Sequence, residues 1–281
     1  MIIILIAVAS GKGGTGKTTV STSLALCSGK CTVLDCDVEE PNSHLYLSPE
    51  LADVETVCIP TPVIDEDRCT HCSKCSSFCE YNALAVLPSQ VLVFPAICNG
   101  CGGCSIVCPE NAVSEKDRVI GHIQGGKAGD ISFFRGLLTV GEARSVPIIR
   151  SLKTHAAKEG ITILDSPPGS SCPVVETLEG VDYVILVTEP TPFGIHDMDI
   201  VVSVVRDMGI PCGVVINKDG IGSELAHSYI ESKGLTLLAS IPHSMKAAKS
   251  GSNAVPIVEA IPELKERFEM IIEKIGKEVG K

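Results

Sequence analysis

The residues best suited to chemistry lie near the start of the chain, at positions 10–19, which read Ser-Gly-Lys-Gly-Gly-Thr-Gly-Lys-Thr-Thr. Glycines at this spacing let backbone N–H groups and a helix N-terminus surround a polyphosphate. Lys17 would then reach the β- and γ-phosphates, and the Thr18 hydroxyl would complete the shell of a bridging Mg²⁺. The alternative is a glycine-rich turn without a ligand, but an apolar run precedes this stretch and an amphipathic one follows it, as a phosphate loop requires. The predicted nucleotide-binding residues here are Gly11, Lys12, Gly13, Gly14, Thr15, Gly16, Lys17, Thr18 and Thr19.

Eight of the 14 cysteines form a second chemical pattern. The order Cys-x2-Cys-x2-Cys-x3-Cys occurs twice, and an Asn-Ala pair follows each copy, at residues 82–83 and 111–112. This spacing is typical of bacterial ferredoxins, in which three close thiolates hold one cubane and the fourth cysteine ligates the other cluster. The sequence therefore predicts two 4Fe-4S clusters, one held by Cys69, Cys72, Cys75 and Cys108, the other by Cys98, Cys101, Cys104 and Cys79.

Zinc is the competing metal, because paired Cys-x2-Cys units also build tetrahedral sites. Zinc ribbons do not need a third and fourth cysteine at this repeated spacing, so iron–sulfur clusters are favoured. Pro109 follows Cys108, as is usual in the ferredoxin pattern, whereas Glu80 follows Cys79. That departure removes no ligand, but it leaves the local turn and the potential of the second cluster open.

Six cysteines lie outside this repeat, and a free cysteine is usually a small buried hydrophobe. Cys172 differs because it follows Gly169 closely, in a predicted loop beside the nucleotide. Contact with a cluster or a redox partner is the alternative for Cys172.

Carboxylates follow two further apolar runs. Asp35 and Asp37 end the run that begins at residue 31, and Asp165 ends residues 161–165 before a Ser-Pro-Pro-Gly turn. Ligands bind at the carboxyl ends of strands in open α/β sheets. An apolar strand that ends in aspartate is the Walker B pattern, which predicts that Asp165 holds a Mg²⁺-bound water. A cap on the following turn is the alternative role, and it fits Asp35 better than Asp37.

The elements that must position these groups alternate between strand and helix. With 44% hydrophobic residues and no Trp, the core must consist mostly of Ile, Val, Leu and Ala, which suits a parallel sheet covered by helices. A long helix is predicted from Val146 to just before Lys158, and a terminal amphipathic helix over 264–279. The predicted fold is α/β, a doubly wound and mostly parallel sheet with a small inserted α+β ferredoxin domain. The predicted parts are 1–61 (ATPase, first part), 62–115 (insert) and 116–281 (ATPase, second part).

The net charge of −11 opposes nonspecific attraction to DNA or to anionic lipid. The apolar run at residues 1–8 is too short to span a bilayer and lacks a charged leader region. The terminal helix mixes acidic and basic residues, unlike a membrane anchor with a basic polar face. We therefore expect a cytoplasmic protein with neither a nucleic-acid partner nor stable membrane insertion.

The glycine-rich loop contains a lysine in addition to Lys17. This lysine, Lys12, makes residues 12–18 resemble the deviant phosphate loop of the MinD/ParA/Mrp ATPases, which include the nitrogenase iron protein. This resemblance covers essentially the whole chain and implies ATP and Mg²⁺ as ligands. It also implies that Lys12 reaches the partner's ATP across a sandwich homodimer and that Asp37 orients the attacking water near Mg²⁺. Gly169 would sense the γ-phosphate, and Asn217 would contact adenine, although an asparagine also commonly ends a strand in a turn. The implied Mg²⁺ group is Thr18, Asp37 and Asp165.

The resemblance and the cysteine repeat together predict a slow, partner-stimulated ATPase that couples nucleotide-driven dimer switching to electron transfer toward a partner metalloprotein. An ATP-dependent iron–sulfur or metallocofactor assembly or carrier factor is the alternative. The Mrp subgroup's carrier cluster relies on a C-terminal Cys-x2-Cys, but no cysteine follows Cys212. A MinD-like spatial regulator is the second alternative, which the net charge and the terminal helix disfavour.

Overall fold

A mixed sheet forms the centre of the computed structural model, which describes residues 3–220 and 224–280. Within those residues nine strands pair in one sheet, and the seven from β11 to β7 run parallel. The order across the sheet is β11 (Thr236–Pro242), β10 (Cys212–Asp219), β9 (Tyr183–Thr188), β1 (Ile3–Ala9), β8 (Gly160–Asp165), β2 (Cys31–Asp35), β7 (Ile131–Leu138), β6 (Val113–Ala128) and β3 (Ala52–Ile64). This confirms the predicted α/β fold with a mostly parallel sheet; residues 1 and 2 of the apolar run at the start of the sequence lie outside the described residues.

Helices cover both faces of the sheet, because each buried strand sends alternate side chains to opposite sides. Along β1, Ala7 and Ala9 join one core, and Ile6 and Val8 join the other. The first core is covered by α5 (Val146–Lys153), α6 (Cys172–Leu178), α7 (Pro192–Asp207) and α8 (Leu225–Ser232). The second is covered by α1 (Lys17–Ser28), α2 (Ser43–Leu47), α9 (Met245–Ser252), α10 (Ile257–Ala260) and α11 (Lys265–Val279).

The two amphipathic helices predicted from the sequence differ in outcome. The apolar face of α11 packs on the second core through residues that include Phe268, Ile271 and Ile275. The helix predicted from Val146 forms but is shorter than predicted, since α5 ends at Lys153 and not just before Lys158. After it, the Ala157 N–H donates to the Thr162 hydroxyl at 2.9 Å instead of continuing a helical ladder.

The strands β3 and β6 form an antiparallel ribbon that leaves the edge of the sheet. Their pairing runs from Ala52 and Gly125 in the sheet to Ile64 and Val113 beyond it, with two register shifts. Between the outer ends lies the cysteine segment, residues 65–112, with α3 (Lys74–Phe78), β4 (Leu84–Leu87), β5 (Gln90–Val93) and α4 (Gly103–Ile106). The predicted boundaries at 62 and 115 fall inside the paired ribbon, where Pro62 faces Glu115. Two strands, not loose linkers, therefore connect this segment to the sheet.

Candidate functional site: a phosphate loop and two cysteine sites

The loop between β1 and α1 has the backbone that a phosphate cradle needs. Gly14 and Gly16 adopt positive φ angles of 77° and 98°, which favour glycine. A Cβ at Gly11 would overlap the backbone of Asp197, and one at Gly16 would overlap the amide of Asn217. Three of the loop glycines are therefore required by geometry.

Lys17 lies at the start of α1 and is only 7% exposed. Burial lowers the pKa of this amine, against the opposing effect of three carboxylates, those of Asp165, Asp37 and Asp35. The strands thus gather one lysine and three aspartates at their carboxyl ends. A lysine confined in this way provides a fixed positive charge for phosphate.

Asp165 ends β8 in full burial, and its Oδ2 accepts a hydrogen bond from the Ser43 hydroxyl at 2.7 Å. Its Oδ1 is buried and has no hydrogen-bond partner among the described residues. Burial raises the pKa of this carboxyl, and the neighbouring Thr18 hydroxyl opposes that shift. Hard oxygen donors are the ligands that Mg²⁺ prefers, so the orphaned oxygen beside Thr18 fits that ion.

The two aspartates after β2 have different environments. Asp35 is fully buried, and its carboxylate accepts from the backbone N–H groups of Asp37 at 3.3 Å and Ser43 at 2.9 Å, as a turn cap does. Burial and the charge of Asp165 raise its pKa. Asp37 is half-buried and lines a cavity of about 220 Å³ together with Pro167. Burial raises the pKa of Asp37 to about 6, although Lys17 opposes the shift.

Lys12 is partly exposed and pairs within its own chain. Its Nζ lies 3.4 Å from Glu189 Oε2, and Lys218 Nζ lies 2.5 Å from Glu189 Oε1. Lys218 also donates to the Gly14 carbonyl at 3.2 Å. Glu189 therefore joins the loop to the end of β10. Sequence reasoning missed this residue, although its position directly after the apolar strand β9 is a usable signal.

Gly169 and Asn217 both bond to the phosphate loop. The Gly169 N–H donates to the Ser10 carbonyl at 2.9 Å, so in this conformation it is not free for a phosphate. Asn217 donates through Nδ2 to the Thr15 carbonyl at 2.7 Å. It lines a cavity of about 230 Å³ with the loop glycines and with His243. Its predicted contact with adenine stays a prediction.

The eight repeat cysteines gather around two cavities, and in each the fourth cysteine comes from the other copy of the repeat. Each group is named after the first cysteine of the repeat copy that supplies three of its members. The Cys98 site has a cavity of about 500 Å³ and contains Cys79, Cys98, Cys101 and Cys104. The Cys69 site has a cavity of about 20 Å³ and contains Cys69, Cys72, Cys75 and Cys108.

The Asn-Ala pairs have the same geometry in both copies. Asn82 and Asn111 adopt left-handed φ angles of 52° and 49°. This turn directs the next N–H back to the fourth cysteine, so Ala83 donates to Cys79 Sγ and Ala112 to Cys108 Sγ, both at 3.3 Å. N–H donors of this kind stabilise thiolate charge, and together with four cysteines around one cavity they suit an iron–sulfur cluster. The ligand assignment itself stays a prediction.

One mixed group of metal-binding side chains was found among the described residues. Ligand atoms of Glu66, Cys69 and His71 all lie within 4.8 Å of one another. Cys69 also belongs to the Cys69 site, so its sulfur cannot serve a separate metal ion at Glu66 and His71 while it binds a cluster. Cys172 is exposed at the first residue of α6.

Two further contacts were missed by sequence reasoning. Ser43 joins Asp35 to Asp165, and Arg144 donates to the Cys98 carbonyl. Neither residue carries a motif or follows an apolar strand, so no sequence signal could have singled it out. Among the described residues no helix is both long enough and apolar enough to cross a membrane.

Comparison with known proteins agrees with this geometry. Residues 6–257 match the family model described as the CobQ/CobB/MinD/ParA nucleotide binding domain. An uncharacterized protein of Methanocaldococcus jannaschii is 32% identical over 81% of this chain and 84% of its own length. An iron-sulfur cluster carrier protein of Methanococcus maripaludis is 25% identical over 97% of this chain and 86% of its own length. The solved structure of the septum site-determining protein MinD from Pyrococcus horikoshii, complexed with Mg-ADP, is similar in fold, with a TM-score of 0.61, 19% identity and coverage of 99% and 98%.

Proposed function

The chain belongs to the CobQ/CobB/MinD/ParA family of nucleotide-binding proteins, and we propose that it is an ATPase that controls electron transfer through two 4Fe-4S clusters toward a partner metalloprotein. The observation that carries the proposal is the gathering of four thiols around each of two cavities. The segment that holds them is joined by a paired ribbon to the sheet that carries the phosphate loop. The division into an ATPase and an inserted ferredoxin domain is part of this proposal.

In the nucleotide reaction Lys17 binds the phosphates, and Thr18 and Asp165 hold Mg²⁺. With a pKa of about 6, Asp37 is mostly ionised at neutral pH and can accept a hydrogen bond from the attacking water. For the γ-phosphate to be sensed, the Gly169 N–H must leave the Ser10 carbonyl. These steps make hydrolysis dependent on loop movement, which suits a slow and partner-stimulated enzyme.

Dimer formation requires a second exchange of partners. Lys12 must leave Glu189 before it can reach a nucleotide on another subunit. The ion pair is partly exposed, so its loss costs little, about 0–1 kcal/mol. The energy of phosphate binding is sufficient to offset that cost.

In the cysteine segment the residues bind and tune the clusters, which supply one-electron transfer when bound. Eight thiolates provide the ligands, and the N–H groups of Ala83 and Ala112 reduce the charge on one sulfur in each site. The segment has a small apolar core in which Leu84 and Val91 are buried together with Cys104. A core of this size suits a module that folds around its metal.

A carrier role for iron–sulfur clusters is the second candidate, favoured by the relative named an iron-sulfur cluster carrier protein. In that case the clusters leave the protein, whereas an electron donor retains them. The two functions are separated by incubating the reduced protein with an apo-ferredoxin and with an oxidised ferredoxin in parallel. Electron transfer with full retention of iron supports the donor, and loss of iron to the apo-protein supports the carrier.

The proposal as a whole is tested on anaerobically purified protein. Two cubanes require about eight iron and eight acid-labile sulfide per chain, and zinc without sulfide would contradict the cluster assignment.

Lys17→Ala should abolish ATP binding because it removes the fixed charge at the phosphates. Asp37→Ala should retain ATP binding and lose hydrolysis; normal hydrolysis by this variant would contradict the role of Asp37.

A further inference from the structure

The loop at residues 139–145, between β7 and α5, lies between the nucleotide site and the Cys98 site. At its start the Leu138 N–H donates to the carbonyl of Val38, the residue after Asp37, at 3.0 Å. At its end Ser145 is buried and lines the same cavity as Asp37 and Pro167. One end of the loop is therefore bonded to the segment after Asp37, and the other end lines the cavity that this segment shares with Pro167. In the proposed function both segments respond to the γ-phosphate.

The middle of this loop is fixed by a buried carboxylate. The side chain of Glu142 is 4% exposed. Its Oε2 accepts from Arg118 on β6 at 2.6 Å, and its Oε1 accepts from Arg144 Nε at 2.6 Å. The N–H of Ala143 adds a bond at 2.9 Å. These bonds link the loop, strand β6 of the ribbon and the Arg144 side chain through one carboxylate.

Arg144 extends from the loop to the cysteine segment. Its Nη2 donates to the carbonyl of Ala96 at 3.0 Å, and its Nη1 donates to the carbonyl of Cys98. The side chain is 14% exposed, so its charge is largely shielded from water, although the bond to Ala96 lies at the surface. Cys98 is the first ligand of its predicted cluster, which puts a fixed positive charge beside that ligand.

We propose that Arg144 is a positioning residue that transmits the nucleotide state to the Cys98 site, an inference that rests on the proposed function. Movement of the loop around Asp37 changes where Leu138 and Ser145 are held, and Glu142 passes that displacement to the guanidinium. A positive charge favours the reduced cluster, which carries one more negative charge. Displacement of the guanidinium therefore changes the reduction potential at the Cys98 site and leaves the Cys69 site nearly unchanged.

The test is a redox titration monitored by electron paramagnetic resonance, with and without a nonhydrolysable ATP analogue and Mg²⁺. Arg144→Gln removes the charge and the fork of two hydrogen bonds, whereas Arg144→Lys keeps the charge but cannot reproduce the fork. The matched control is Arg68→Gln. Arg68 donates to the Glu110 carbonyl at 2.9 Å beside the Cys69 site, and its hydrogen bonds to other described residues lie within the cysteine segment. Iron content and calorimetric binding of the analogue are measured for every variant.

In the wild-type protein the analogue should shift the potential of the Cys98 cluster, and both Arg144 variants should lose that shift while they still bind the analogue. Without nucleotide, Arg144→Gln should lower the potential of this cluster and Arg144→Lys should leave it near the wild-type value. Arg68→Gln should keep the nucleotide-dependent shift. A full shift in Arg144→Gln would overturn the inference, and if that variant loses iron, Arg144→Lys decides by the same criterion.

Hydrogen exchange separates failure of this inference from failure of the proposed function. The wild-type protein should gain protection at residues 95–101 when it binds the analogue, and Arg144→Gln should not. If the wild-type potential does not respond but this protection does and depends on Arg144, the redox proposal fails and the link stands. If neither the potential nor the exchange responds in the wild-type protein, the link itself is wrong.

Discussion

The two halves of the cysteine segment share a local structure and differ in what surrounds it. In the first half the backbone N–H of Phe94 donates to the Ala83 carbonyl, and in the second the backbone N–H of Asp65 donates to the Ala112 carbonyl, both at 2.8 Å. The strand pairs next to these bonds differ in length and in what they join. The pair β4 and β5 closes in a short hairpin, whereas β3 and β6 continue into the nine-stranded sheet. The two copies of the repeat thus share a local turn, and residues outside the repeat determine which strands continue into the nine-stranded sheet.

The cavities differ as well, about 500 Å³ at the Cys98 site against about 20 Å³ at the Cys69 site. Where one repeat has Gly102 and Gly103, the other has Ser73 and Lys74. A Cβ at Gly103 would overlap the ring of Phe78, so glycine is required for that contact. Solvent access and nearby charge tune cluster potentials, so two sites with the same ligands should have different potentials.

Removal of one cluster ligand should have the largest effect on the difference between the two cysteine sites. We expect Cys98→Ser to remove or convert the cluster of the Cys98 site only, and Cys69→Ser that of the other site, because each keeps its own four thiols. Iron and sulfide content and the paramagnetic spectrum of each variant check this. Loss of both clusters from either change would instead show that the module folds only around the pair.

The fourth cysteine of each site comes from the other copy of the repeat, which gives a second test of the two sites. Cys108→Ser should affect the cluster that Cys69→Ser affects, and Cys79→Ser the one that Cys98→Ser affects, since the fourth cysteines exchange between the halves. The effect should resemble that of the other variant of the same site, because either change leaves three thiolates there. The pairing would be contradicted if Cys108→Ser gave the spectrum of Cys98→Ser and Cys79→Ser gave that of Cys69→Ser, since each of these pairs belongs to one copy of the repeat.

The connection of the Cys98 half to the sheet should contribute to stability in a pH-dependent way. Burial alone would raise the pKa of Glu142, but hydrogen bonds from Arg118 and Arg144 outweigh it, and the pKa is lowered. The stabilisation is therefore present above the unfolded value of about 4.3 and is lost as the pH falls through the folded value. Glu142→Gln should destabilise by about 2–3 kcal/mol at neutral pH.

Chemical unfolding at pH 7 and in acid measures this loss, which should shrink in acid. Glu115→Gln is the control. Within the described part of the chain that exposed carboxylate has one side-chain hydrogen bond, at 3.4 Å from Ser105, so its loss should change stability by less than about 0.5 kcal/mol. An equal loss in the two variants would show that the buried ion pairs of Glu142 are not the cause.

The smallest expected effect comes from exchanging one residue between the halves. Ser73 and Gly102 both adopt left-handed φ angles, 63° and 72°. Since this conformation costs a residue with a side chain about 1 kcal/mol, Ser73→Gly should be neutral or slightly stabilising, and Gly102→Ser should destabilise by about 1 kcal/mol. Thermal unfolding of the cluster-loaded protein checks both, and opposite signs would contradict the equivalence of the two turns.

The predictable part of this molecule is the part in which one chain segment carries its own signal. Apolar runs located β1, β2 and β8, because a strand buried on both faces has no polar alternation. The glycine spacing located the loop around Lys17, and the cysteine spacing located the repeat. The antiparallel strands β3 and β6 were missed because they are partly exposed, with charged residues such as Glu55 and Lys116 among apolar ones.

The contacts of the site were less predictable than its position. Asp165 could be identified from the strand that it ends, but its bond to Ser43 depends on where a short helix packs. The pairing of Lys12 with Glu189 depends on two strand ends that are far apart in sequence. Local patterns report local geometry, and these contacts arise only when the sheet is assembled.

The ribbon of β3 and β6 has a consequence for how such a protein can arise and be altered. Thr61 and Lys116 are paired neighbours on antiparallel strands, so the chain leaves the sheet and returns to it at one place. Topologically, everything between them is an enlarged hairpin loop, and the entropy of closing a loop grows only slowly with its length. An ancestral sheet could therefore have acquired the whole cysteine segment at a surface turn, as inserted domains commonly are, without a break in any parallel strand of the host.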